Sequence, residues 1–477
     1  MQSNSGGLRR LFKGIRGSDI GVQVGLRGGP ENSGKNKESK TTVFMRTAKH
    51  LFTLTALVLV FTQKATALPS EPSVLGPGSC SSSNCHGDIK PRNSSDVLQN
   101  EYTTWSKHDR HSRAYLTLLN SDSKKIASNL GIQDAAKDPL CLSCHATYLS
   151  ESFKKGERFR LEDGVTCESC HGAASGWLES HAITGTSHAD NLRNGLKDIV
   201  SPDKRADLCL SCHYGNEEKT VNHNLYGAGH PRLSFELDTF GILQPKHWVV
   251  DKDYEERKAP YIAVQTWLVG QAYQADTSLK ALASQKRSKN GQFPELSLFD
   301  CFSCHHNLSE EQWKTRSYGG APGQLKLNLP SLIMLKEAVA ALDQPLSDDL
   351  GRNLDILHRD YKNTGASEAI ANLTKDVETR AIPLTTTMPH DLHTTTKILG
   401  RLATFGATYQ WPTFELAEQI GMGIQATLAT SPELAKVYGV ELKELFATLR
   451  SSKNFKPEKF TATAKKLNNS IARSQRL

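Results

Sequence analysis

All ten cysteines of this chain occur in pairs, and a histidine directly follows each pair. Four pairs have the form Cys-x-x-Cys-His, while the first is expanded to Cys80-Ser-Ser-Ser-Asn-Cys85-His86. We number these sequences motifs 1 to 5 in chain order; their cysteine pairs are Cys80 and Cys85, Cys141 and Cys144, Cys167 and Cys170, Cys209 and Cys212, and Cys301 and Cys304.

Two thiols beside a histidine form the attachment signature of c-type haem. The thiols form thioether bonds with the porphyrin, and the adjacent histidine ligates the iron as its proximal ligand. Zinc ribbons and disulfides also use paired cysteines, but neither requires a histidine after every second cysteine. The sequence therefore predicts five covalently bound haem c groups, whose proximal ligands are His86, His145, His171, His213 and His305.

A haem iron can take a second axial ligand, and eleven histidines after residue 67 lie outside the motifs. Helical spacing over residues 101–116 makes His108 and His111 candidates, of which we prefer His111. A short helix after motif 3 would bring His181 over a neighbouring ring. Gly229 and Pro231 surround His230 with backbone that suits close approach to a flat ring.

A fifth candidate distal ligand lies beyond the last motif. His390, or alternatively His393, precedes a predicted helix from which it could cap the last haem. His247 and His306 are weaker candidates, and we interpret His188 and His223 as surface residues. The candidate distal ligands are therefore His108, His111, His181, His230 and His390.

The charge of the chain does not indicate an acidic partner. The net charge is +8, and residues 1–67, with 11 Lys or Arg against three Asp or Glu, account for all of it. The remaining polypeptide is neutral, and haem propionates would make it acidic. Nucleic-acid binding therefore has no support.

Residues 45–67 are typical of a cleavable signal peptide. A basic start is followed by an uncharged, largely apolar run from Leu51 to Phe61 and then by small residues at 65–67. We expect residues 1–44 to be an over-extended gene start and disordered. No later stretch is long and apolar enough to span a membrane. The sequence therefore predicts a periplasmic protein.

The composition predicts a mainly α protein with two domains. Residues 68–320 alternate the motifs with short helical pieces and long loops, which predicts a pentahaem domain with few strands whose loops wrap the haems. Residues 321–477 contain no cysteine and show amphipathic periodicity. This periodicity predicts an all-helical C-terminal bundle of six or seven antiparallel helices, one of which starts at Pro330.

The motif-bearing segment resembles the cytochrome c-554 family of multihaem c-type cytochromes, also called the cytochrome c-552/4 domain. The resemblance extends over roughly residues 78–310. It rests on motif 1 with the segment from Trp105 to Tyr115, on Gly164-Val-Thr-Cys167 through motif 3, and on Gly229-His230-Pro231.

This resemblance implies a mostly helical fold filled by closely stacked haems, mainly bis-histidine ligation, and electron transfer among periplasmic partners. The family namesake has four haems with regular spacers, and one of its haems lacks a sixth protein ligand. This chain departs from it by a fifth motif, an expanded first motif and the C-terminal helical region.

Two functions are compatible with the motifs. The favoured one is electron transport through five haems between periplasmic or membrane-associated donor and acceptor proteins, without catalysis, since two axial histidines leave no position for substrate. The alternative is a multihaem oxidoreductase acting on a small nitrogen or sulfur compound at one five-coordinate haem. In a third hypothesis, the C-terminal bundle docks the chain to a separate catalytic protein.

Overall fold

The structure is a computed structural model that describes residues 72–92, 97–148, 154–284, 295–305, 324–359 and 364–474. Residues Leu68–Leu477 form one compact unit. The predicted gene start and signal peptide, in Met1–Ala67, lie outside the described residues. Among the helices in the described ranges, none combines the length and apolar character that a membrane span requires.

The protein is mainly helical, as predicted. The described residues contain isolated bridges, Val74 with Lys155 and Phe299 with Leu327, but no strand. The helices up to residue 257 are short: α1 (Glu101–His108), α2 (Ala114–Thr117), α3 (Ser121–Leu130), α4 (Pro139–His145), α5 (Cys167–His171), α6 (Leu178–His181), α7 (His188–Arg193), α8 (Pro202–His213), α9 (His223–Ala228), α10 (Leu237–Leu243) and α11 (Lys252–Arg257). They alternate with 3-10 helices at Pro77–Ser79, Arg110–Arg113, Leu161–Asp163, Ala174–Gly176, Leu296–Leu298 and Cys301–Ser303.

Three of the motifs lie on α-helices. Motif 3 forms α5, and motifs 2 and 4 are the last turns of α4 and α8. Positions i, i+3 and i+4 of a helix lie on one side, so a helical turn presents both thiols and the histidine in the same direction. Pro139 and Pro202 start α4 and α8, where a missing N–H costs no intrahelical hydrogen bond.

The predicted helix over residues 101–116 is interrupted. Asp109 adopts an extended backbone conformation, and its carboxylate accepts a hydrogen bond from the His111 backbone N–H. This cap starts a 3-10 turn, and α2 follows it. Because of the break, His108 and His111 do not share a continuous helix.

Longer helices dominate the remainder of the chain. They are α12 (Ala263–Ala283), α13 (Pro330–Val339), α14 (Gln344–Arg359), α15 (Thr364–Asp376), α16 (Ile382–Thr386), α17 (Leu392–Thr408), α18 (Phe414–Thr430), α19 (Pro432–Ala447) and α20 (Pro457–Ser474). A π-helical segment, Val377–Ala381, joins α15 to α16, and a 3-10 helix, Ser452–Asn454, precedes α20. The predicted helix start at Pro330 is confirmed.

These helices share one large apolar core. Helix α12 lies inside it, and its Trp267 is fully buried. This helix precedes residue 321, at which we placed the start of the helical domain, and that boundary stays a prediction. The motif-bearing segment contributes two much smaller apolar clusters, built around Leu142 and around Leu210.

Side-chain contacts join the motif-bearing segment to the long helices. Gln274 on α12 donates a hydrogen bond to the carbonyl oxygen of Phe235 (3.1 Å). Arg232 forms ion pairs with Glu415 (3.5 Å) and Glu418 (2.6 Å) on α18. The helical region is therefore packed directly against the segment that carries the motifs.

The approach of α18 to α12 requires a glycine. A Cβ atom at Gly423 would lie 2.5 Å from Cζ2 of Trp267, which is too close for a fully buried indole to accommodate without displacement. We expect Gly423→Ala to lower the free energy of unfolding by about 1–3 kcal/mol through overpacking. Unfolding of the full chain by urea, followed by circular dichroism, measures this loss.

Gly439→Ala on α19 is the matched control. No atom lies within 4 Å of the added methyl group, and Gly439 is exposed. The control should stabilise the chain by about 0.5–1 kcal/mol, because alanine restricts the unfolded state more than glycine does. Equal unfolding midpoints for the two variants would contradict the proposed close packing.

Candidate haem centres

Three motif histidines lie ring against ring with a histidine from elsewhere in the chain. The ring centroids are 6.1 Å apart for His86 and His181, 5.9 Å for His213 and His111, and 6.3 Å for His305 and His223. The first and last of these pairs are nearly parallel, at 16° and 25°, while His111 is perpendicular to His213 at 86°.

The other two motif histidines have neighbouring histidines as well. Burial lowers the pKa of His145, and the charge of His230 lowers it further. Burial lowers the pKa of His171 to about 4, with the charge of His247 as the next contribution. A ring contact with a second histidine is thus present at three motif histidines, while His230 and His247 act on the other two through their charge.

The spacing of these pairs fits a metal ion between the rings. Two imidazole nitrogens, each about 2 Å from one metal ion, place their ring centroids about 6 Å apart. Iron in a porphyrin needs only two ligands from the protein, and each pair offers two imidazoles. We number the pairs sites 1 to 5: His86 with His181, His145 with His230, His171 with His247, His213 with His111, and His305 with His223.

Carboxylates hold the outer nitrogen of one histidine at sites 1 and 4. Nδ1 of His86 lies 2.9 Å from Glu101, and Nδ1 of His111 lies 2.9 Å from Asp109. These hydrogen bonds raise the pKa of both histidines against the opposing effect of burial. Burial alone would raise the pKa of Asp109, but the hydrogen bonds from His111 lower it to about 2.

At site 2, backbone carbonyl groups accept the hydrogen bonds from Nδ1 of both histidines. Nδ1 of His145 lies 3.2 Å from the oxygen of Ala114, and Nδ1 of His230 lies 2.7 Å from that of Pro231. A carbonyl oxygen only accepts, so Nδ1 carries the proton and Nε2 presents its lone pair. That tautomer suits an imidazole whose Nε2 ligates a metal.

Neighbouring motifs lie against each other. The carboxylate of Glu168, inside motif 3, accepts hydrogen bonds from Leu75 (2.9 Å) and Gly76 (2.7 Å), which precede motif 1. A hydrogen bond from Cys167 lowers the pKa of the Cys80 thiol. Motifs 1 and 3 therefore meet at their sulfur atoms.

Motifs 2 and 4 meet in a similar way. The Cys212 thiol donates to the carbonyl oxygen of Ser143 (3.8 Å), and a hydrogen bond from Cys144 lowers the pKa of Cys212. Burial raises the pKa of Cys170 to about 12, with the charge of Cys209 as the next contribution. The backbone N–H of Val165, which precedes motif 3, donates to the carbonyl oxygen of His111, the partner of His213, at 3.0 Å. Motif 3 is thus also a neighbour of site 4.

The structure treats the predicted distal ligands differently. It brings the rings of His111 and His181 beside motif histidines, and the charge of His230 acts on His145. His108 and His390 are exposed, and no ring contact among the described residues involves either of them. Their assignment as ligands stays a prediction without a structural partner.

The histidines near motifs 3 and 5 were not among our five preferred ligands: His247 was a weaker candidate, and His223 was interpreted as a surface residue. His247 lies in the loop after α10, packed at 4.8 Å against Trp248, and His223 is the first residue of α9. Local sequence around them suggests exposure as readily as ligation. In the sequence, only the expectation that each of the five motif histidines has a distal partner indicates that His223 and His247 are ligands. His306, which follows His305 directly, lies outside the described residues.

Comparison with known proteins identifies a relationship for part of the chain. Residues 80–172 match the family model of cytochrome c554 and c-prime. This segment contains motifs 1 to 3, and it is shorter than the resemblance over residues 78–310 that we expected. The match supports a c-type cytochrome with covalently bound haem and the predicted resemblance to the c-554 family. No curated protein and no solved structure is similar enough to the chain to count as a match.

Two buried carboxyl groups follow the aromatic residue that covers site 4. Phe235 stacks on His213 at 4.6 Å, and Glu236 caps α10 by accepting hydrogen bonds from the backbone of Asp238 and Thr239, both at 2.7 Å. Glu236 and Asp238 are fully buried. Burial raises the pKa of Glu236 to about 7 and that of Asp238 to about 6.

The contribution of Glu236 to stability should therefore fall as pH rises through this range. In the folded state Glu236 stays protonated up to a pKa of about 7, whereas the unfolded carboxyl loses its proton near pH 4.5. At this residue the folded state binds more protons between these limits, so its contribution decreases with pH, by on the order of 3 kcal/mol. Denaturation of the parent chain and of a Glu236 variant between pH 4.5 and 8 measures this contribution as the difference between their slopes.

Glu236→Gln should remove this contribution from the pH dependence, because an amide does not titrate. Glu444→Gln, which removes an exposed carboxylate from α19, is the matched control and should leave the slope unchanged. If Glu236→Gln retained the pH dependence of the parent chain, Glu236 would not be its source.

Proposed function

We propose that this chain is an exported c-type cytochrome that carries electrons through five covalently bound haems between periplasmic redox partners. One observation carries the proposal: three of the five motif histidines have the ring of a second histidine at a centroid distance near 6 Å. The family match over residues 80–172 supports the chemistry at motifs 1 to 3.

The residues that would bind haem have three different roles. The ten cysteines anchor the macrocycles by thioether bonds, the motif histidines serve as proximal ligands, and their partners serve as distal ligands. Bound haem supplies one-electron chemistry, since its iron alternates between the ferric and ferrous states. The hydrogen bonds to Nδ1 of His86, His111, His145 and His230 fix ring orientation and strengthen these imidazoles as ligands.

The contacts between motifs support a relay among sites 1 to 4. Motif 1 touches motif 3 through Glu168, motif 3 neighbours motif 4 through Cys170, and motif 4 touches motif 2 through Cys212. Ser169 of motif 3 also lies 2.7 Å from Thr147, which follows motif 2. Electrons entering at site 1 would thus reach site 3 first and pass from there to sites 2 and 4.

The small apolar clusters of the motif-bearing segment also support the proposal. A segment of this length needs more buried apolar surface than the clusters around Leu142 and Leu210 supply. Five macrocycles would provide that surface, and the short helices and loops would wrap them. Partners, periplasmic location and the signal peptide are parts of the proposal that rest on the sequence.

Electron paramagnetic resonance of the purified, oxidised full chain tests the proposal. We expect a haem content of five per chain and low-spin signals alone, because two imidazoles occupy both axial positions at every site. Cyanide and nitrite should leave the spectrum unchanged. A high-spin signal that shifts on addition of either ligand would instead support the oxidoreductase alternative at a five-coordinate haem.

A substitution at site 1 tests the ligand assignment. His181→Met should change the signal of one haem and raise its midpoint potential, since methionine favours the ferrous state more than histidine does. His188→Met, at an exposed histidine in the next helix, is the matched control and should change neither property. Five unchanged haems in His181→Met would refute His181 as a ligand.

A further inference from the structure

One short helix connects site 5 to site 2. Helix α9 begins at His223, the partner of His305, and its left-handed C-cap, Gly229, immediately precedes His230, the candidate partner of His145. The end of α9 lies near site 2, because the Ala228 carbonyl oxygen accepts a hydrogen bond from Asn129 of α3 (2.9 Å). Ser123 of α3 donates to the carbonyl oxygen of Thr117 (2.6 Å), whose hydroxyl lies 3.0 Å from Nδ1 of His145. The helix has six residues, which span roughly 9 Å at 1.5 Å per residue. A rigid element thus sets the distance between these two distal histidines.

The start of α9 is tied to the segment that leads into motif 5. The backbone N–H of His223 donates to the Glu295 carboxylate at 2.8 Å. The same carboxylate accepts a hydrogen bond from Ser297, capping the 3-10 helix just before Cys301. Glu295 therefore fixes the distal histidine of site 5 relative to its own motif.

The chain beyond α9 also returns to motif 5. Burial raises the pKa of the Cys301 thiol, and the charges of Glu415 and Arg232 act on it as well. Arg232 lies two residues after His230 and is held by Glu418 at 2.6 Å on α18. Arg232 thus ties the segment after His230 to α18, and its charge acts on Cys301.

Site 4 is the competing neighbour. Tyr226 on α9 experiences the charges of both Cys301 and Tyr214, and Tyr214 directly follows His213. Tyr214 itself, however, is hydrogen-bonded to Ser278 on α12 at 2.6 Å. Neither end of α9 supplies a histidine to motif 4, because the partner of His213 is His111. The helix that sites 2 and 5 share therefore favours site 2, and not site 4, as the neighbour of site 5.

We infer that site 5 extends the relay from site 2 through α9, so that electrons pass between site 5 and the other four sites by way of site 2. This inference rests on the proposed function, because it presupposes haem at all five sites. Both cysteines of motif 5 are exposed, as is Cys85 of motif 1. The two ends of the relay, sites 1 and 5, are therefore those that partner proteins can approach.

Magnetic coupling between ferric haems tests the order of the sites. The coupling falls steeply with distance, so deleting one haem slows the electron-spin relaxation of its neighbour. Cys301→Ala with Cys304→Ala deletes the site 5 haem from the full chain. Signals are assigned beforehand through the single variants His230→Met for site 2, His111→Met for site 4, and His181→Met for site 1.

We expect the site 5 deletion to slow relaxation of the signal assigned to site 2 and to leave the signal of site 1 unchanged. The matched control is Cys80→Ala with Cys85→Ala, which deletes the site 1 haem. This control should slow the relaxation of the site 3 signal, which is assigned through His247→Met. It should leave the relaxation of the site 2 signal unchanged.

Slower relaxation at site 4 without a change at site 2 would overturn the inference, as would no change at any site. If the deletion variant is not recovered with four haems, His223→Ala replaces it, since a high-spin iron at site 5 also alters the relaxation of its neighbour. A parent chain without five low-spin haems would refute the proposed function, and haem counting detects that outcome separately.

Discussion

A pairing constraint organises the motif-bearing half of this protein. Three motif histidines lie beside a histidine from a different part of the chain, with ring centroids about 6 Å apart. Such a pair can persist only if separate segments are held together. Imidazole rings are oriented toward one another by the short helices, by the breaks between these helices and by the hydrogen bonds to Nδ1.

The long helices hold that arrangement from one side. Their apolar core, with Trp267 at its centre, forms without any contribution from the motifs. Helix α18 presents Glu415 and Glu418 to Arg232, next to the ligand of site 2 and close to Cys301. The helical region thus supports the same end of the motif-bearing segment that carries site 5, which links its packing to the proposed relay.

Much of the fold was predictable from local chemistry. The start of α13 at Pro330 and the periodic apolar positions on α17 and α18 were found because amphipathic helices leave a regular pattern. The break at Asp109 was not predicted, because an aspartate is common both at exposed helical positions and at helix caps. That single cap separates His108, which is exposed, from His111, which meets His213.

The sequence by itself determined the motifs, and with them the proximal histidines and the number of haems to be expected, because Cys-x-x-Cys-His acts within one helical turn. The second histidine of each pair was decided by tertiary structure alone. By local sequence His223 and His247 are weaker candidates than His390, and His230 is a stronger one. What separates them is which loop or helix end the fold brings over a motif, and that depends on contacts between residues far apart in the chain.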